Sequence, residues 1–186
     1  NAPGASEDSN YQPSSPYSAS KASSDHLVNA WYRTYKLPIS ITNCSNNYGP
    51  FQFPEKFIPN SIISLINGEK VPIYGKGTQI RDWLYVDDHV EAIFEVLCYG
   101  DIGETFNIGG DCEMKNTDVL DSIIQHINFL KKPSEEKIQL KNCIEFVQDR
   151  PGHDKRYSID CSKIKSKLNW KQNETFKTGI NKTVEW

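Results

Sequence analysis

The chain has 186 residues, of which 37% are hydrophobic and 24% charged, a composition typical of a globular protein with a sizeable core. A net charge of −3 and a pI near 5.8 argue against a broad nucleic-acid-binding surface. Five cysteines without C-x-x-C spacing indicate neither a disulfide framework nor a metal site, and the absence of a signal segment or a roughly 20-residue apolar run predicts a cytoplasmic protein with no membrane partner.

The first predicted element is a helix over residues 16–35. Ser15 can accept hydrogen bonds from the free N–H groups of the first turn, and Pro16 suits the first helical position. Tyr17 and Lys21 are four residues apart and therefore share one helix face. A nearby ammonium lowers the pKa of a phenol from about 10, which would make Tyr17 a proton-transfer group. A Tyr-x-x-x-Lys pair also occurs by chance in helices, so a purely structural helix stays open.

The rest of the chain alternates between strand and helix patterns after a polar loop at 1–12. Predicted strands lie at 38–44, 71–74, 79–86, 104–108 and 143–147, the last being the final strand, and predicted helices at 56–67, 88–99, 117–129 and 162–168. The strands around Gly75-Lys76-Gly77 are interpreted as a hairpin, because the glycine spacing fits no phosphate-binding motif. Trp170 and Trp186 are expected to pack.

Polar residues follow the strand at 38–44 directly. Asn46 and Asn47 would lie at its carboxyl end, where open α/β sheets bind ligands, although a plain turn is the alternative.

Arginine is scarce, since it supplies only four of the 21 basic residues. A planar guanidinium binds phosphate oxygens in a bidentate manner that lysine cannot reproduce. Arg81 and Arg150 are therefore candidate phosphate ligands, with structural ion pairs as the alternative.

Several segments resemble one known family in their order along the chain. They are residues 14–21, 43–50, 54–56, 81–88, 107–110 and 149–153. The sequence from about Tyr11 to Trp186 resembles the dTDP-glucose 4,6-dehydratases, an extended branch of the short-chain dehydrogenase/reductase superfamily. This resemblance implies an α/β fold, namely the C-terminal part of an NAD-binding Rossmann-type doubly wound fold plus a smaller α/β substrate-binding domain. Residues 1–53 would end the Rossmann-type domain, and 54–186 would mainly form the sugar-nucleotide domain, with about 84–110 returning to the Rossmann core.

The resemblance also implies a reaction, the conversion of dTDP-glucose to dTDP-4-dehydro-6-deoxyglucose in deoxysugar biosynthesis. NAD would take hydride from C4 while Tyr17 removes the 4-hydroxyl proton, water would leave across C5 and C6, and the hydride would return to C6. Lys21 would hold the cofactor ribose, and Asn47 would contact the cofactor. The sugar-nucleotide pocket would be lined by Asn46, Lys56, Pro72, Tyr74, Arg81, Asn116, Arg150, His153 and Tyr157.

The chain departs from the family pattern at its start. A glycine-rich turn that would hold the NAD pyrophosphate and a Thr-Asp-Glu stretch that would supply the elimination acid and base have no counterpart before Tyr17. The chain therefore resembles the carboxyl-terminal half of such an enzyme, and we expect it to be inactive alone. A non-catalytic nucleotide-sugar-binding fragment, or a sister epimerase or decarboxylase, stays open.

The apolar stripe of the first helix suggests self-association. Its members are Leu27, Val28, Trp31 and Tyr35. In the family this helix pairs across a dimer axis, so the resemblance implies a homodimer.

Overall fold

The computed structural model describes residues 3–186, which form an α/β fold, as predicted. The helices of this part are α1 (Pro16–Tyr35), α2 (Phe57–Ile66), α3 (Val86–Tyr99), α4 (Asn116–Leu130), α5 (Leu140–Cys143), α6 (Ser162–Leu168) and α7 (Phe176–Glu185). The strands are β1 (Ile41–Cys44), β2 (Asn46–Tyr48), β3 (Val71–Tyr74), β4 (Ile80–Tyr85), β5 (Thr105–Ile108), β6 (Glu113–Lys115), β7 (Ile144–Val147) and β8 (Arg156–Tyr157). Among these residues, no helix combines the length and apolar character that crossing a bilayer would require.

The strands pair mostly in parallel and form three small sheets. β1 lies parallel to β5, with Ile41 opposite Thr105. β4 is central to the second sheet, where it pairs in parallel with β2 and β8 and antiparallel with β6. β3 and β7 form the third, parallel pair. The segment after β1 is the strand β2, which pairs with β4. It is therefore extended and is not the plain turn that was the alternative for Asn46 and Asn47.

The predicted hairpin at residues 71–86 is wrong. Gly75 and Gly77 do adopt positive φ values of 59° and 68° and redirect the chain, but β3 and β4 belong to different sheets. β3 pairs with β7, which follows about 70 residues later, and places Val71 opposite Ile144. Burial explains why β3 does not form a hairpin with β4. Val71 and Ile73 are each 1% exposed, and a two-stranded hairpin alone could not enclose them in a core. The prediction that residues 143–147 hold the final strand is also wrong, because β8 follows.

Two groups of buried apolar side chains hold the elements together. The first core packs β2, β3 and β4 against α2, α4 and α7 and includes Tyr48, Ile58, Ile73, Leu120, Ile123 and Ile180. The second core packs β5 against α3 and α6 and includes Leu84, Val96, Phe106, Ile108, Ile164 and Trp170. Trp170 therefore packs as predicted, whereas Trp186 is 65% exposed and lies 4.9 Å from the Phe51 ring. The predicted domain boundary at residue 53 stays a prediction.

Helix α1 has the predicted bounds, and it lies on the surface. Ser15 Oγ accepts a hydrogen bond from the Ser18 N–H at 3.1 Å, and Lys36 ends the helix with a left-handed φ of 57°. Ala22 is the one buried residue of the helix. The apolar stripe of the helix is exposed to solvent, since Leu27, Trp31 and Tyr35 are all more than half exposed.

Candidate functional site

The two residues of the Tyr-x-x-x-Lys pair lie at the exposed start of α1. Tyr17 is 74% exposed, and Lys21 follows one turn later on the same helix. The Lys21 ammonium is close enough to Cys44, the last residue of β1, for its charge to influence the pKa of the Cys44 thiol. Burial raises the pKa of the Cys44 thiol, while the hydrogen bond from Asn47 and the charge of Lys21 oppose that rise. Lys21 of α1 therefore lies near the carboxyl end of β1, and Tyr17 lies one turn before it on the same helix.

Asn47 extends this region with an unsatisfied polar atom. Its side-chain N–H groups donate to Cys44 Sγ at 3.3 Å and to the Ser45 carbonyl at 3.2 Å, which fixes the orientation of the amide. Its Oδ1 atom is buried and, within residues 3–186, accepts no hydrogen bond, and the same holds for Ser45 Oγ. Buried acceptors normally have partners. These atoms fit a bound polar group such as a cofactor amide.

A second group of predicted residues forms a cationic surface around Tyr74. The Arg150 guanidinium lies 5.4 Å from the centroid of the Tyr74 ring, and the His153 ring meets Tyr74 edge-on at 6.3 Å. Arg81 donates to the Ile80 carbonyl at 2.7 Å. Burial lowers the pKa of Arg81, the charge of Asp154 raises it, and the charge of Arg150 lowers it. The two guanidinium groups can bind an anion, and the carboxylates of Asp154 and Asp149 partly balance their charge.

Asp149 and Gln79 orient this cationic surface, and neither was predicted as a site residue. Asp149 Oδ1 lies 2.6 Å from Nδ1 of His153, and Gln79 Nε2 donates to Asp149 Oδ2 at 2.9 Å. The hydrogen bond from His153 is the main reason why the pKa of Asp149 is lowered. With Nδ1 committed, Nε2 is the remaining polar ring atom of the His153 side chain, which is only 6% exposed. The four-residue spacing of Asp149 and His153 was the available signal.

Tyr157 joins the cationic surface to the region around Lys21. It lies opposite Arg81 in the β8–β4 pair, and its hydroxyl donates to the Cys44 carbonyl at 3.4 Å. Burial is the largest cause of the raised pKa of Tyr157. A further link runs from Ser14 Oγ to Asp154 Oδ1 at 3.2 Å. These contacts bring β8 against the end of β1, and the loop at 149–154 against the segment that leads into α1.

The remaining predicted residues lie at different distances from this surface. Pro72 shares the exposed face of β3 with Tyr74, and the Asn116 N–H at the start of α4 donates to the Gln79 carbonyl at 3.2 Å. Asn46 lies in β2 beside Asn47 and opposite Trp83. Lys56 precedes α2 and pairs with Glu55 at 3.0 Å, and no hydrogen bond or ion pair of the described residues joins it to the others. Within residues 3–186, no His, Cys, Asp and Glu side chains are grouped as metal ligands.

Comparison with known proteins identifies close relatives. A dTDP-glucose 4,6-dehydratase from Escherichia coli is 57% identical over 181 residues, which cover 97% of this chain and 50% of that protein. The dTDP-glucose 4,6-dehydratase of Neisseria meningitidis serogroup B is 54% identical over 178 residues, again covering about half of the relative. The chain thus spans about half the length of the curated relatives that it matches.

Solved structures agree in fold. The dTDP-glucose 4,6-dehydratase from Streptomyces venezuelae, with NAD and TYD bound, has a TM-score of 0.91 at 38% identity and matches 100% of this chain and 55% of that one. The Bacillus anthracis enzyme in complex with NAD has a TM-score of 0.87 at 44% identity and matches 97% of this chain and 54% of that one. The predicted Rossmann-type relationship is confirmed. The family model of GDP-mannose 4,6 dehydratase matches residues 1–183, and the chain belongs to this family.

Proposed function

We propose that this chain carries the substrate side of a dTDP-glucose 4,6-dehydratase. The observation that supports it most is the meeting of two surfaces: the exposed Tyr17 and Lys21 on α1, and the cationic surface of Arg81, Arg150 and His153. Tyr157 connects them through its 3.4 Å hydrogen bond to Cys44. A sugar nucleotide has the matching chemistry, because its diphosphate carries the negative charge and its hexose carries the hydroxyl groups.

In this proposal the chain's residues divide the work between binding and proton transfer. Arg81, Arg150 and His153 hold the diphosphate of dTDP-glucose through charge-assisted hydrogen bonds. Tyr17 accepts the proton of the hexose 4-hydroxyl, and Lys21 follows one turn later on the same helix. The other pocket residues, Asn46, Lys56, Pro72, Tyr74, Asn116 and Tyr157, would line the rest of the sugar nucleotide.

NAD is the proposed cofactor, because the solved relatives from Streptomyces venezuelae and Bacillus anthracis contain it. It would supply a reversible hydride acceptor when bound. The unsatisfied Oδ1 of Asn47 and Oγ of Ser45 suit the amide end of such a group. Lys21 would hold the neighbouring ribose by hydrogen bonding. The cytoplasm is the proposed location.

The assembly that we propose is a homodimer formed through α1. Leu27, Trp31 and Tyr35 expose a continuous apolar face on this helix, and Ile93, Phe94 and Leu97 do the same on α3. Isolated exposed apolar residues are ordinary, but two helices with such faces are typical of an interface.

A sister epimerase is less well supported. The UDP-glucuronic acid 4-epimerase of Bacillus cereus has a TM-score of 0.88 but only 26% identity, against 57% for the Escherichia coli dehydratase. Fold similarity alone does not choose between these chemistries.

The experiment that tests the proposal is the substitution Tyr17→Phe in the full-length protein. We expect turnover of dTDP-glucose to fall roughly 100-fold or more, with affinity for dTDP within a few-fold of wild type, as for the loss of an acid/base group. Tyr99→Phe is the matched control, because Tyr99 is a similarly exposed tyrosine at the end of α3 and lies outside the proposed site. Product is read by the alkali-induced absorbance of the 4-keto-6-deoxy sugar. Unchanged turnover of Tyr17→Phe would refute the assignment.

A further inference from the structure

The start of α1 has few contacts that fix its position. The helix buries one residue, Ala22, and its first turn is closed by Ser15, which accepts from the N–H groups of Ser18 and Ala19. Tyr17 lies in this turn and is itself 74% exposed. A helix end with so little buried surface frays readily unless another part of the molecule holds it. The position of Tyr17 must therefore depend on what Ser14, the residue before the cap, is attached to.

Asp154 provides that attachment and also contacts the cationic surface. Its carboxylate Oδ1 accepts a hydrogen bond from Ser14 Oγ at 3.2 Å. Its backbone carbonyl accepts one from Nη2 of Arg81 at 2.8 Å. Asp154 therefore binds Ser14, just before α1, through its side chain, and binds Arg81, a proposed phosphate ligand, through its main chain. The next residue along, Lys155, is fixed to β4 through the hydrogen bond from the Ile80 N–H to its carbonyl at 2.9 Å.

The loop at 149–154 also touches the chain before α1 directly. Gly152 has a left-handed φ of 68°, and a Cβ atom added there would lie 3.2 Å from the Ser14 carbonyl oxygen. A side chain at this position would be strained and crowded. The glycine thus permits the approach that brings Asp154 within hydrogen-bonding distance of Ser14.

We propose that Asp154 is a positioning residue that ties the loop at 149–154 to the first turn of α1 and thereby sets the location of Tyr17. The expected effect of Asp154 on turnover rests on the proposed function, in which Tyr17 is the proton acceptor. Its effect on the structure of α1 rests on the contacts alone. Asp154 does not need to touch the sugar nucleotide, since its carboxylate is committed to Ser14.

The test uses Asp154→Ala in the full-length protein. This variant removes the carboxylate but keeps the backbone carbonyl that Arg81 contacts. Amide hydrogen exchange of the segment 14–22, followed by mass spectrometry, should be roughly two- to tenfold faster than in wild type, the range for loss of one exposed hydrogen bond. Asp154→Asn retains an acceptor oxygen for Ser14 and should restore the exchange rate. Asp121→Ala is the matched control: it removes a partly exposed acid on α4 that accepts a hydrogen bond from Gln125, and it should leave the segment unchanged.

Kinetics separate a positioning role from general destabilisation. We expect Asp154→Ala to lower turnover of dTDP-glucose roughly two- to tenfold, by the same hydrogen-bond estimate, while its affinity for dTDP stays at the wild-type level. Asp154→Asn should recover the turnover. Wild-type exchange at 14–22 in Asp154→Ala would overturn the inference, and so would failure of Asp154→Asn to restore it. If that exchange is accelerated but the wild-type protein does not bind dTDP, the proposed function fails while the positioning role stands.

Discussion

The substitution Asp82→Ala should destabilise the fold well beyond an ordinary surface change. Asp82 is 2% exposed, and its carboxylate accepts hydrogen bonds from the N–H groups of Gly110 at 3.0 Å and Cys112 at 2.6 Å. Each buried donor left without a partner costs about 1–3 kcal/mol. Because the Cys112 contact is only partly buried, we expect a total loss of about 2–4 kcal/mol in the free energy of unfolding. The lost hydrogen bonds hold residues 110–112, the segment that leads into β6, so the destabilisation should be centred there.

Urea unfolding followed by tryptophan fluorescence measures this loss by linear extrapolation. Asp82→Asn keeps one acceptor oxygen and should lose less than alanine does, about 1–2 kcal/mol. Asp121→Ala removes a partly exposed carboxylate on α4 and should change the free energy of unfolding by less than about 0.5 kcal/mol. If Asp82→Ala behaves like Asp121→Ala, the two hydrogen bonds do not stabilise the fold and the reasoning is wrong.

Three further predictions concern the cationic surface, the assembly and an ion-pair network. Arg150→Ala should weaken dTDP binding in calorimetry by about 1.5–3 kcal/mol, whereas Arg33→Ala on α1 should have little effect; equal losses would contradict a specific phosphate contact. Trp31→Glu should convert the proposed dimer to a monomer in light scattering, and a wild-type monomer at tens of micromolar would refute the dimer. Hydrogen bonds from Lys167 and then Lys163 lower the pKa of Glu104 below 4.5, so its contribution is present above that pH and is lost as pH falls through the lowered pKa. Glu104→Gln should therefore cost about 0.5–1 kcal/mol at neutral pH and progressively less as the pH falls through the lowered pKa of Glu104, and a cost that does not change with pH would exclude the ion pairs as its cause.

Local sequence patterns predicted the helices that carry strong caps or strong apolar periodicity. The Ser15-Pro16 pair correctly predicted the first residue of α1. Gly68, which has a φ of 72°, follows the end of α2 as expected. Helix α7 was missed although Thr175 and Thr178 form a capping box. Its sequence is largely polar and includes Gly179, a poor helix former, although its few apolar residues, Phe176, Ile180 and Val184, recur at helical spacing and were an available signal. That glycine is required by packing, because a Cβ there would lie 2.4 Å from the Tyr48 hydroxyl oxygen.

Pairings between distant strands could not be predicted from local pattern. The hairpin interpretation relied on the glycines at 75 and 77, but a parallel strand pair needs a long connection, and the partner of β3 lies about 70 residues downstream. The candidate site shows the same limit. The scarcity of arginine and the resemblance supplied Arg81, Arg150 and His153, whereas the hydrogen bond to Asp149 that orients His153 was suggested only by the four-residue spacing of these two residues and was established by the contacts of the loop.

The interleaving of the two cores along the sequence has a consequence for synthesis. The second core draws on residues near 84–108 and again on 161–170, while the first core draws on 48–85, on 119–143 and finally on Ile180. A nascent chain folds as its parts leave the ribosome, at about 5–20 residues per second. Neither core can close before α6 and α7 have emerged, so apolar strands made early stay uncovered for several seconds. During that interval we expect the nascent chain to expose more apolar surface than a chain with sequential cores would.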